Sequence, residues 1–429
     1  MQALLIGGGA REHAIAEALA SSGAEVITLM PARNPGIMRL SSSYFIGKLV
    51  DKELLTRIAA RKPDFAVIGP EAPLDAGVVD FLEEKGVPCV GPIAELARLE
   101  TSKTFTRQLM EKHAVPGMPR WRSFSTLEDI QDFIDEVGQV VLKPDGLTGG
   151  KGVKVQGEHF VDSEDAVAYC AEVLKTHPSI VVEEKLEGEE FSLQCLTDGK
   201  HIMMTPPAQD HKRAFEDDQG PNTGGMGSYS CENHLLPFLT YEDVEDALEI
   251  THGMVRALYS ETGKRYKGVM YGGFMLTRKG VKLIEYNARF GDPETMNVLP
   301  LLETNFADIC KAVCEASLNR IRPRFARKAT VCKYVVPQGY PDKPVRDVPI
   351  EIGESQARIY HASLEERKDG LFLLGSRAAA FLGIGDSVEE AEKIAQQGVE
   401  SVKGPVFFRR DIGTKALLQK RINHMRQII

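Results

Sequence analysis

The sequence lacks the features that mark several classes of protein. It has no apolar run long enough to cross a membrane, and its amino terminus enters a predicted strand without the apolar stretch of a secretion signal. Lysine and arginine form no block, and the formal net charge of −9 argues against a surface for nucleic acid or for an anionic membrane. The seven cysteines include no C-x-x-C pair, so we expect buried free thiols in a reducing compartment. These absences predict a soluble cytoplasmic protein, with room for a local basic site that binds a phosphorylated metabolite.

The first hundred residues alternate between strand and helix patterns. Four apolar strands and three helices are predicted, the strands at residues 3–6, 26–29, 65–68 and from 89, and the helices at 11–20, 52–61 and 77–85. This alternation predicts a doubly wound parallel sheet. Glycine-bearing turns follow three of the strands, at residues 7–9, 69–71 and 91–92, which places a binding crevice at the carboxyl edge of the sheet.

A dinucleotide fold is the first alternative for this crevice, and two positions argue against it. The third glycine of G-x-G-x-x-G would fall at Glu12, and the second strand ends in Leu29-Met30-Pro31 without the acid that binds a ribose. A nicotinamide oxidoreductase is therefore a minor alternative. The crevice suits a sugar phosphate better, with its anion at the amino terminus of the first helix.

A glycine-rich loop follows an apolar strand in the run V-V-L-K-P-D-G-L-T-G-G-K-G at residues 140–152. Glycine lets backbone N–H groups approach phosphate oxygens closely, and Lys143 and Lys151 add positive charge. The run is not a Walker loop, because it lacks the G-x-x-x-x-G-K-[ST] pattern. We expect a lid that closes on a nucleotide. A mobile hairpin with solvated lysines is the alternative.

Acidic and polar loops follow this segment. The run E-E-K-L at residues 183–186 leaves a buried strand, and acids so placed repel one another unless they bind something, the alternative being a solvated turn. The loop G-P-N-T-G-G-M-G at residues 220–227, which follows D-H-K-R at residues 210–213, cannot form a core of its own. It must therefore lie on the surface or around a ligand.

A predicted hairpin, at residues 269–276 and 281–284, continues into Glu285-Tyr286-Asn287. Strand alternation puts Glu285 and Asn287 on one face, with Arg289 just beyond. Hard oxygen ligands beside a cation predict a site for Mg²⁺ and phosphate. An edge-strand surface is the alternative, and it leaves the following run F-G-D-P-E unexplained. After a basic link at residues 319–324, four short strands and one helix predict a small α+β domain.

With these motifs the chain resembles the glycinamide ribonucleotide synthetases, the phosphoribosylamine–glycine ligases of the ATP-grasp superfamily, over nearly its whole length. The resemblance rests on G-G-A-R-E-H at residues 8–13, G-P-E-A-P-L at 69–74, K-P-D-G-L at 143–147, Q-D-H-K-R at 209–213, the loop at 220–227, E-Y-N-A-R-F-G-D-P-E at 285–294 and F-R-R-D-I-G at 408–413. The Q-D-H-K-R and G-P-N-T-G-G-M-G pair points to this family rather than to ATP-grasp enzymes in general.

The resemblance implies an α/β and α+β multidomain fold. A Rossmann-like parallel-sheet domain is expected over residues 1–100, an ATP-grasp domain with a mobile lid over residues 101–325, and a small α+β domain over residues 326–429. The lid is expected at residues 118–190. The partners would be small molecules rather than nucleic acid or membrane, and the enzyme would be a monomer or a homodimer.

The resemblance also implies a reaction. ATP, glycine and 5-phosphoribosylamine would give glycinamide ribonucleotide, ADP and phosphate through a glycyl phosphate, in the second step of de novo purine biosynthesis. A divalent ion, Mg²⁺ or Mn²⁺, would bind Glu285 and Asn287. Arg289 would stabilise the transferring phosphoryl group, Asp210 and Asp292 would take the glycine ammonium, and Lys151 would act from the lid.

The implied binding residues form two groups. The nucleotide would contact Lys103, Lys143, Gly149, Gly150, Lys151, Glu183, Glu184, Leu186 and Glu190, with adenine at residues 183–186 and the ribose at residue 190. The other substrates would contact Gly8, Gly9, Arg11, Glu12, Glu71, Pro73, Asp210, Lys212, Arg213, Thr223, Gly224, Gly225, Arg289 and Asp292.

The sequence departs from the family pattern at several positions. Thr148-Gly149 stand where two alanines are usual, Cys231 follows Ser230 where proline is usual, and L-G-S-R-A at residues 374–378 replaces N-G-G-R-V. The run G-G-F-M at residues 272–275 offers no further acidic ligand, although many ATP-grasp enzymes have one on that strand. These differences bear on lid closure and on the contact with the sugar phosphate.

Two other functions compete with this one. A different ATP-grasp ligase would keep the nucleotide residues but lose the loops at residues 209–213 and 220–227, and both loops are present. A non-catalytic nucleotide-binding protein would lose Glu285, Asn287 or Arg289, and all three are present.

Overall fold

The structure, a computed structural model, describes residues 1–147 and 152–429. In this part of the chain no helix is both long and apolar enough to cross a membrane. All seven cysteines are free thiols, six of them buried and Cys314 partly so.

The amino-terminal part is a five-stranded sheet with helices. Its strands are β1 (Gln2–Ile6), β2 (Glu25–Met30), β3 (Ser41–Ile46), β4 (Phe65–Ile68) and β5 (Cys89–Val90). Its helices are α1 (Ala10–Ser21), α2 (Pro35–Leu40), α3 (Lys52–Ala59), α4 (Glu71–Asp75), α5 (Val78–Glu84) and α6 (Ala94–Thr101). Every pair of neighbouring strands is parallel, in the order β3-β2-β1-β4-β5. The predicted doubly wound parallel sheet is confirmed.

The strand order places the crevice between β1 and β4, because the chain turns to opposite sides of the sheet from these two strands. The turns after them meet there, and the N–H of Gly69 donates to the carbonyl of Ile6 at 2.9 Å. Strand β3 was not predicted from the sequence. The strand predicted at residues 65–68 as the third is therefore the fourth in the structure. Residues along β3 are alternately half-buried and exposed, and its serine-rich run lacks the apolar signal of a central strand.

Residues 103–184 begin with a helix that packs on the main core and continue into a sheet with its own hydrophobic core. They contain α7 (Lys103–Lys112), β6 (Trp121–Phe124), α8 (Ile130–Val137), β7 (Val140–Pro144), β8 (Lys154–Val155), α9 (Ser163–Val173) and β9 (Ile180–Glu184). The antiparallel sheet β6-β9-β7-β8 packs against α8 and α9 through a separate cluster that includes Phe133, Leu142 and Cys170. This sheet and its two helices occupy the segment predicted to be the lid.

A second antiparallel sheet forms the floor beneath the lid, in the order β11-β10-β16-β17. The strands of this part are β10 (Gly188–Thr197), β11 (Ile202–Met204), β12 (Gln209–Asp210), β13 (Arg213–Phe215), β14 (Gln219–Asn222), β15 (Gly227–Ser230), β16 (Gly268–Thr277) and β17 (Gly280–Asn287). Its helices are α10 (Tyr241–Thr262), α11 (Glu294–Val298) and α12 (Phe306–Cys314). The predicted hairpin at residues 269–284 is the pair β16–β17.

The carboxyl-terminal part contains β18 (Ala329–Pro337), β19 (Pro349–Ile352), β20 (Arg358–His361), β21 (Leu364–Arg367), β22 (Gly370–Leu373), β23 (Ala379–Gly385), α13 (Val388–Glu400), β24 (Val402–Lys403), β25 (Val406–Phe407) and α14 (Lys415–Ile428). Its main sheet runs β12-β15-β18-β23-β20. Because β12 and β15 come from the preceding part, hydrogen bonding crosses the predicted boundary at residue 325. The predicted domain limits remain a prediction.

Helix α6 is separated from α7 at Ser102, whose hydroxyl accepts the N–H of Phe105 at 3.1 Å and so caps α7. One predicted element differs in the structure. The segment 220–227 is not one loop, since Gln219–Asn222 is a strand and Gly227 begins the buried strand β15.

Candidate active site

The end of β17 presents the predicted metal ligands. Glu285 and Asn287 share a face of this strand, and Arg289 Nη2 donates to Asn287 Oδ1 at 3.1 Å. Burial opposes the ionisation of Glu285, but three lysines outweigh it and lower the pKa of the carboxyl below its usual value: Lys212, Lys143 and Lys103. Among the described residues, no group of three or more His, Cys, Asp or Glu side chains forms a complete metal site. A divalent ion here would need phosphate oxygens to complete its coordination.

Lys143, on β7, projects from the lid into the cleft. Its Nζ donates to Glu183 Oε2 at 2.7 Å and to the carbonyl of Ile284 at 3.1 Å. Ile284 immediately precedes the predicted metal ligand Glu285. The lid lysine therefore lies beside the position predicted for the phosphates.

Glu183 lies in a buried cluster of charged side chains, with Arg107 and Lys143. The residue is 3% exposed, and its carboxylate accepts hydrogen bonds from Arg107 Nε at 2.6 Å and Nη2 at 3.0 Å. Burial raises the pKa of Glu183, but Arg107 and Lys143 outweigh burial and lower it to about 2. This side chain therefore binds two buried cations, and the predicted contact between Glu183 and the nucleotide stays a prediction.

Glu184 and Leu186 lie where the lid joins the floor. Glu184 Oε1 accepts the N–H of Arg120 at 2.9 Å, and the Glu184 N–H donates to the Arg120 carbonyl at 2.9 Å. Leu186 is half-buried in the short connection between β9 and β10. Both residues are at the hinge, where the adenine was predicted, and that contact stays a prediction.

Lys103 and Asp145 join the start of α7 to the loop that follows β7. Asp145 Oδ1 accepts the N–H of Lys103 at 2.7 Å, and Lys103 Nζ donates to the carbonyl of Gly146 at 2.9 Å. Burial lowers the pKa of Lys103. Further along the same loop, three predicted nucleotide contacts lie outside the described residues: Gly149, Gly150 and Lys151.

Lys212 lies among the acids of the cleft. Its Nζ donates to Glu190 Oε2 at 3.0 Å. Glu190 raises the pKa of Lys212 against the effect of burial, and Glu285 and Asp210 act in the same direction. This ammonium group is therefore bonded to the predicted ribose acid and lies in the electrostatic field of the predicted metal ligand and glycine ligand.

Arg213 connects the floor to the lid. Its Nη2 is ion-paired with Glu158, which lies in the lid segment, and its Nη1 donates to the carbonyl of Gly220 at 2.9 Å. Thr223, close to that turn, hydrogen-bonds through both its N–H and its hydroxyl to the carbonyl of Lys212 at 2.8 Å. The two polar loops predicted from the sequence therefore form one structure.

Asp210, at the end of β12, is positioned to receive a cation. Among the residues that the structure describes, none donates a hydrogen bond to its buried Oδ1. Burial and then the nearby Glu294 raise the pKa of Asp210 well above its usual value. Glu294 in turn accepts a hydrogen bond from the Tyr271 hydroxyl at 2.7 Å. A buried carboxyl beside a second one becomes ionised readily only when a positive group binds there.

Asp292, the other predicted ammonium ligand, already has partners on both oxygens. The Tyr334 hydroxyl donates to Oδ1 at 2.6 Å, and Arg377 Nη2 donates to Oδ2 at 2.8 Å. Arg377 Nη1 also donates to the carbonyls of Gly224 and Gly225. The predicted residues Asp292, Gly224 and Gly225 are therefore brought together by an arginine of the carboxyl-terminal part.

Arg289 joins the floor to the amino-terminal part. Its Nε lies 3.3 Å from Glu71 Oε2, and its Nη2 lies 3.3 Å from Glu100 Oε1. Burial opposes ionisation of Glu71, but Arg289 and then Arg11 lower the pKa of this acid. Pro73, two residues after Glu71, is buried within α4.

The turn after β1 is held by Glu12. Glu12 Oε2 accepts the N–H of Gly9 at 2.6 Å, and Oε1 accepts from Arg11 Nε at 2.6 Å. A side chain at Gly7 would overlap Glu12, since its Cβ would lie 2.5 Å from Cγ. The Gly9 N–H, at the amino terminus of α1, is therefore bonded to Glu12 and not free for the predicted phosphate. An anion at this edge would use other donors. Gly8 accepts a hydrogen bond from Asn34 at 2.9 Å through its carbonyl.

Sequence reasoning missed several residues of this site. Arg377, Glu294 and Asp145 stand inside runs that the sequence singles out for other reasons, but their roles were not predicted. Arg107 and Glu100 had no usable signal, because each is recognised only by a partner distant in the sequence.

Comparison with known proteins gives matches over nearly the whole chain. Three family models match: "Phosphoribosylglycinamide synthetase, N domain" at residues 1–100, its ATP-grasp (A) domain at residues 101–295 and its C domain at residues 330–415. The chain is 48% identical over 435 residues to a phosphoribosylamine–glycine ligase of Pyrococcus horikoshii, covering 100% of this chain and 98% of the relative. It is also 48% identical over 443 residues to the protein of the same name from Methanocaldococcus jannaschii, covering 100% of both.

Solved structures give the same result. A phosphoribosylamine–glycine ligase from Thermotoga maritima matches with a TM-score of 0.82 and 28% identity, over 96% of this chain and 100% of that one. A biotin carboxylase domain from Hydrogenobacter thermophilus, in complex with MgADP, matches with a TM-score of 0.72 and 15% identity over 99% of this chain and 93% of that one. The second likeness concerns the fold alone.

Proposed function

The chain belongs to the phosphoribosylglycinamide synthetase family, and from that premise we propose how its cleft ligates glycine to 5-phosphoribosylamine. The reaction is the ATP-dependent second step of purine biosynthesis, and the enzyme is a carbon–nitrogen ligase. The observation that carries the proposal is the convergence of two sets of residues. Lys212, in the loop at residues 209–213, donates to Glu190 Oε2 at 3.0 Å, and the charge of Glu285 acts on Lys212 in the same direction as that of Glu190, which supports a common space for this loop and the metal ligands.

The chemistry requires two transfers. A glycine carboxylate oxygen attacks the γ-phosphorus of ATP, the bond to the bridging oxygen breaks, and ADP leaves. The amine of phosphoribosylamine then attacks the carbonyl carbon of glycyl phosphate, and inorganic phosphate leaves as the amine loses a proton. Protein groups contribute mainly by positioning the reactants and by neutralising charge.

Glu285 and Asn287 fit a divalent ion, Mg²⁺ or Mn²⁺. The carboxylate is held ionised by its lysine neighbours, and the amide oxygen retains acceptor capacity beyond its bond from Arg289. When bound, such an ion neutralises phosphate charge and orients the reacting oxygens. Arg289 is placed to stabilise the transferring phosphoryl group from the same side.

Lys143 and Lys103 are proposed to bind the phosphates from the lid side. Each ammonium group now donates to protein acceptors, Glu183 and Ile284 for Lys143 and Gly146 for Lys103. A phosphate oxygen can join these acceptors, because an ammonium group has three donors. We propose that lid closure keeps water from the glycyl phosphate.

Asp210 is proposed to bind the glycine ammonium. Its Oδ1 is buried and receives no hydrogen bond from the described residues, and Glu294 lies close enough to favour a positive ligand. Asp292 is the weaker candidate, because both its oxygens have partners. We therefore propose that Asp292 contributes through Arg377.

The sugar phosphate is proposed to lie at the edge between β1 and β4. Gly8, Gly9, Arg11 and Glu71 line this edge, and Arg11 Nη1 donates to the carbonyl of Phe290 at 3.3 Å, close to the phosphoryl site. Lys212 and Arg213 are proposed to contact the sugar phosphate from the floor. The amine of the sugar could then reach an acyl group held near Asp210.

We also propose a cytoplasmic location and a monomer or homodimer that binds small molecules only. Seven free thiols support a reducing compartment. The net charge of −9 supports the absence of a nucleic-acid partner.

The test is an assay of the purified protein with Mg-ATP, glycine and phosphoribosylamine generated in situ. We expect ADP and glycinamide ribonucleotide in equal amounts, and product only when all three substrates are present. ADP release that ignores phosphoribosylamine, or equal use of another carboxylate in place of glycine, would contradict the proposal.

A variant of the proposed metal ligand tests the position of the metal site in the same assay. Glu285→Ala should abolish ligation while circular dichroism stays that of the wild type, because the side chain serves the ion and not the core. Glu365→Gln, on β21 and paired with Arg367 at 2.8 Å, is the control and should remain active. Retained turnover in Glu285→Ala would move the metal site elsewhere.

A further inference from the structure

Arg377 connects the carboxyl-terminal part to the substrate loops. Its side chain is 14% exposed and lies over the Tyr334 ring, with 4.4 Å between the guanidinium carbon and the ring centroid. Nη2 donates to Asp292 Oδ2 at 2.8 Å, and Nη1 donates to the backbone carbonyls of Gly224, Gly225 and Asp292. One planar group therefore holds two separate loops.

The loop held in this way forms a wall of the proposed glycine site. Gly225 has φ +104°, a left-handed conformation that favours glycine. A Cβ at this position would lie 2.8 Å from Asp210 Oδ1 and 2.6 Å from Pro293 Cδ. Asp210 therefore lies directly against the backbone of Gly225. Gly225 belongs to the turn whose carbonyls accept hydrogen bonds from Arg377.

The neighbouring acid is fixed by the same arginine. Asp292 accepts from Arg377 on one oxygen and from Tyr334 on the other. Since Asp292 is bound in this way, Asp210 is left as the carboxylate with a buried oxygen to which no described residue donates a hydrogen bond. In this arrangement Asp292 supports the structure of the site, and Asp210 is the acid left to bind the glycine ammonium.

We propose that Arg377 is a positioning residue that sets the affinity for glycine by holding the Gly224–Gly225 turn and Asp292 around the Asp210 carboxylate. This inference rests on the proposed function of the same site. Arg377 acts through backbone carbonyls and Asp292, so it is expected to change glycine binding more than the binding of ATP, whose proposed residues lie on α7, β7, β9, β10 and β17.

The inference predicts that lysine cannot replace this arginine. A lysine ammonium is a point charge and cannot span two loops in the plane of a guanidinium. Arg377→Lys should raise the KM for glycine about tenfold and Arg377→Ala more, since charge-assisted hydrogen bonds to several acceptors are lost. The KM for ATP should stay within about twofold of the wild-type value in both variants. Guanidinium ion added to Arg377→Ala should lower the glycine KM again, which a generally damaged fold would not allow.

A matched control is available in the same part of the chain. Arg367 is also ion-paired, to Asp347 at 2.6 Å, and also lies over an aromatic ring, Phe372 at 4.5 Å, but it belongs to β21. Arg367→Lys should leave all three KM values unchanged. If Arg377→Ala does not fold, Asp292→Asn serves in its place, because it keeps an acceptor for Tyr334 and loses the charge that pairs with Arg377. It should raise the glycine KM in the same direction and by less.

Two outcomes would overturn the inference. One is an equal rise in the KM values for ATP, glycine and phosphoribosylamine in Arg377→Lys. The other is a rise confined to phosphoribosylamine, which would mean that Arg377 serves the sugar phosphate. A wild-type enzyme that ignores phosphoribosylamine would contradict the proposed function instead, so the two failures can be told apart.

Discussion

At the scale of single residues, the buried carboxylate of Glu183 stabilises the cleft by pairing with two cations. It neutralises Arg107 and Lys143, the first of which also donates to the carbonyls of Leu283 and Ile284 on β17. Because two cations share one buried acid, its removal leaves charge without compensation in a region of low dielectric constant. The acid is therefore a support for Lys143 and for the junction between lid and floor.

We predict that Glu183→Gln lowers the free energy of unfolding at pH 7 by about 3–5 kcal/mol, the usual cost of removing one partner of a buried ion pair. Urea denaturation measures it. Glu172→Gln, which removes the exposed lid pair with Lys175, should cost less than about 1 kcal/mol. Equal costs in the two variants would contradict the role given to Glu183.

The pairing of Glu183 with Arg107 and Lys143 also predicts that the stability of the fold depends on pH. The pKa of Glu183 is about 2 in the folded state against an ordinary 4.5. A lowered carboxyl pKa contributes stability that is complete above about pH 4.5 and is lost as the pH falls toward 2, on the order of 3 kcal/mol in total. The unfolding free energy of Glu183→Gln should fall less steeply over this range than that of the wild type.

At the scale of elements, the ion pair between Glu158 and Arg213 is one of the contacts that join the lid to the floor. The lid has its own sheet and hydrophobic cluster, so it can move as a unit. An ion pair between partly exposed groups contributes up to about 1 kcal/mol, which corresponds to roughly fivefold in an equilibrium constant. The closed arrangement is therefore favoured only slightly by this contact.

We predict that Glu158→Gln raises the KM for ATP by about two- to fivefold, because the open lid becomes more populated. The rise should shrink at high ionic strength, where the wild-type ion pair is itself screened. Glu172→Gln, which removes an ion pair within the lid, should leave the KM unchanged. An equal effect of the two variants would mean that Glu158 does not act across the cleft.

At the scale of the whole molecule, the carboxyl-terminal part packs directly on the first helix. The His13 and His361 rings stack with centroids 5.5 Å apart, and the His361 N–H donates to His13 Nδ1 at 2.9 Å. Asn34 donates to the carbonyls of both Gly8 and His361. The turn that was predicted to bind the sugar phosphate is therefore supported by the opposite end of the chain.

This interface should weaken in acid. Burial lowers the pKa of His361 to about 4, with Arg39 acting in the same direction and Glu366 against it. Since the unfolded state binds a proton below about pH 6.5, stability falls as the pH drops from 6.5 toward 4, by up to about 2 kcal/mol at pH 5 for this histidine. His361→Phe keeps a ring in the stack and cannot titrate. Its unfolding free energy should decrease less between pH 7 and pH 5, and equal slopes would contradict the prediction.

The parts of the fold that the sequence predicted are those with a local signal. The apolar runs of β1, β2 and β4 indicated a parallel sheet, and alternation along β17 correctly placed Glu285 and Asn287 on one face. The strand β3 escaped notice, because its alternating exposure and serine-rich sequence resemble a loop. The same limit applies to the junction at residue 325, where β15 pairs with β18 across a boundary that composition alone suggested.

The motifs of the chain were sufficient to predict the family and the reaction and to propose residues for the site, because motifs and periodicities are local properties. The partners of the acids among those residues are visible only in the folded chain. Glu183 is paired with Arg107, 76 residues away, Asp292 is paired with Arg377, 85 residues away, and Asp210 keeps a buried oxygen to which no described residue donates a hydrogen bond. The physical reason is that a buried carboxylate is governed by the charges within a few ångströms of it, and folding brings those charges from distant parts of the chain.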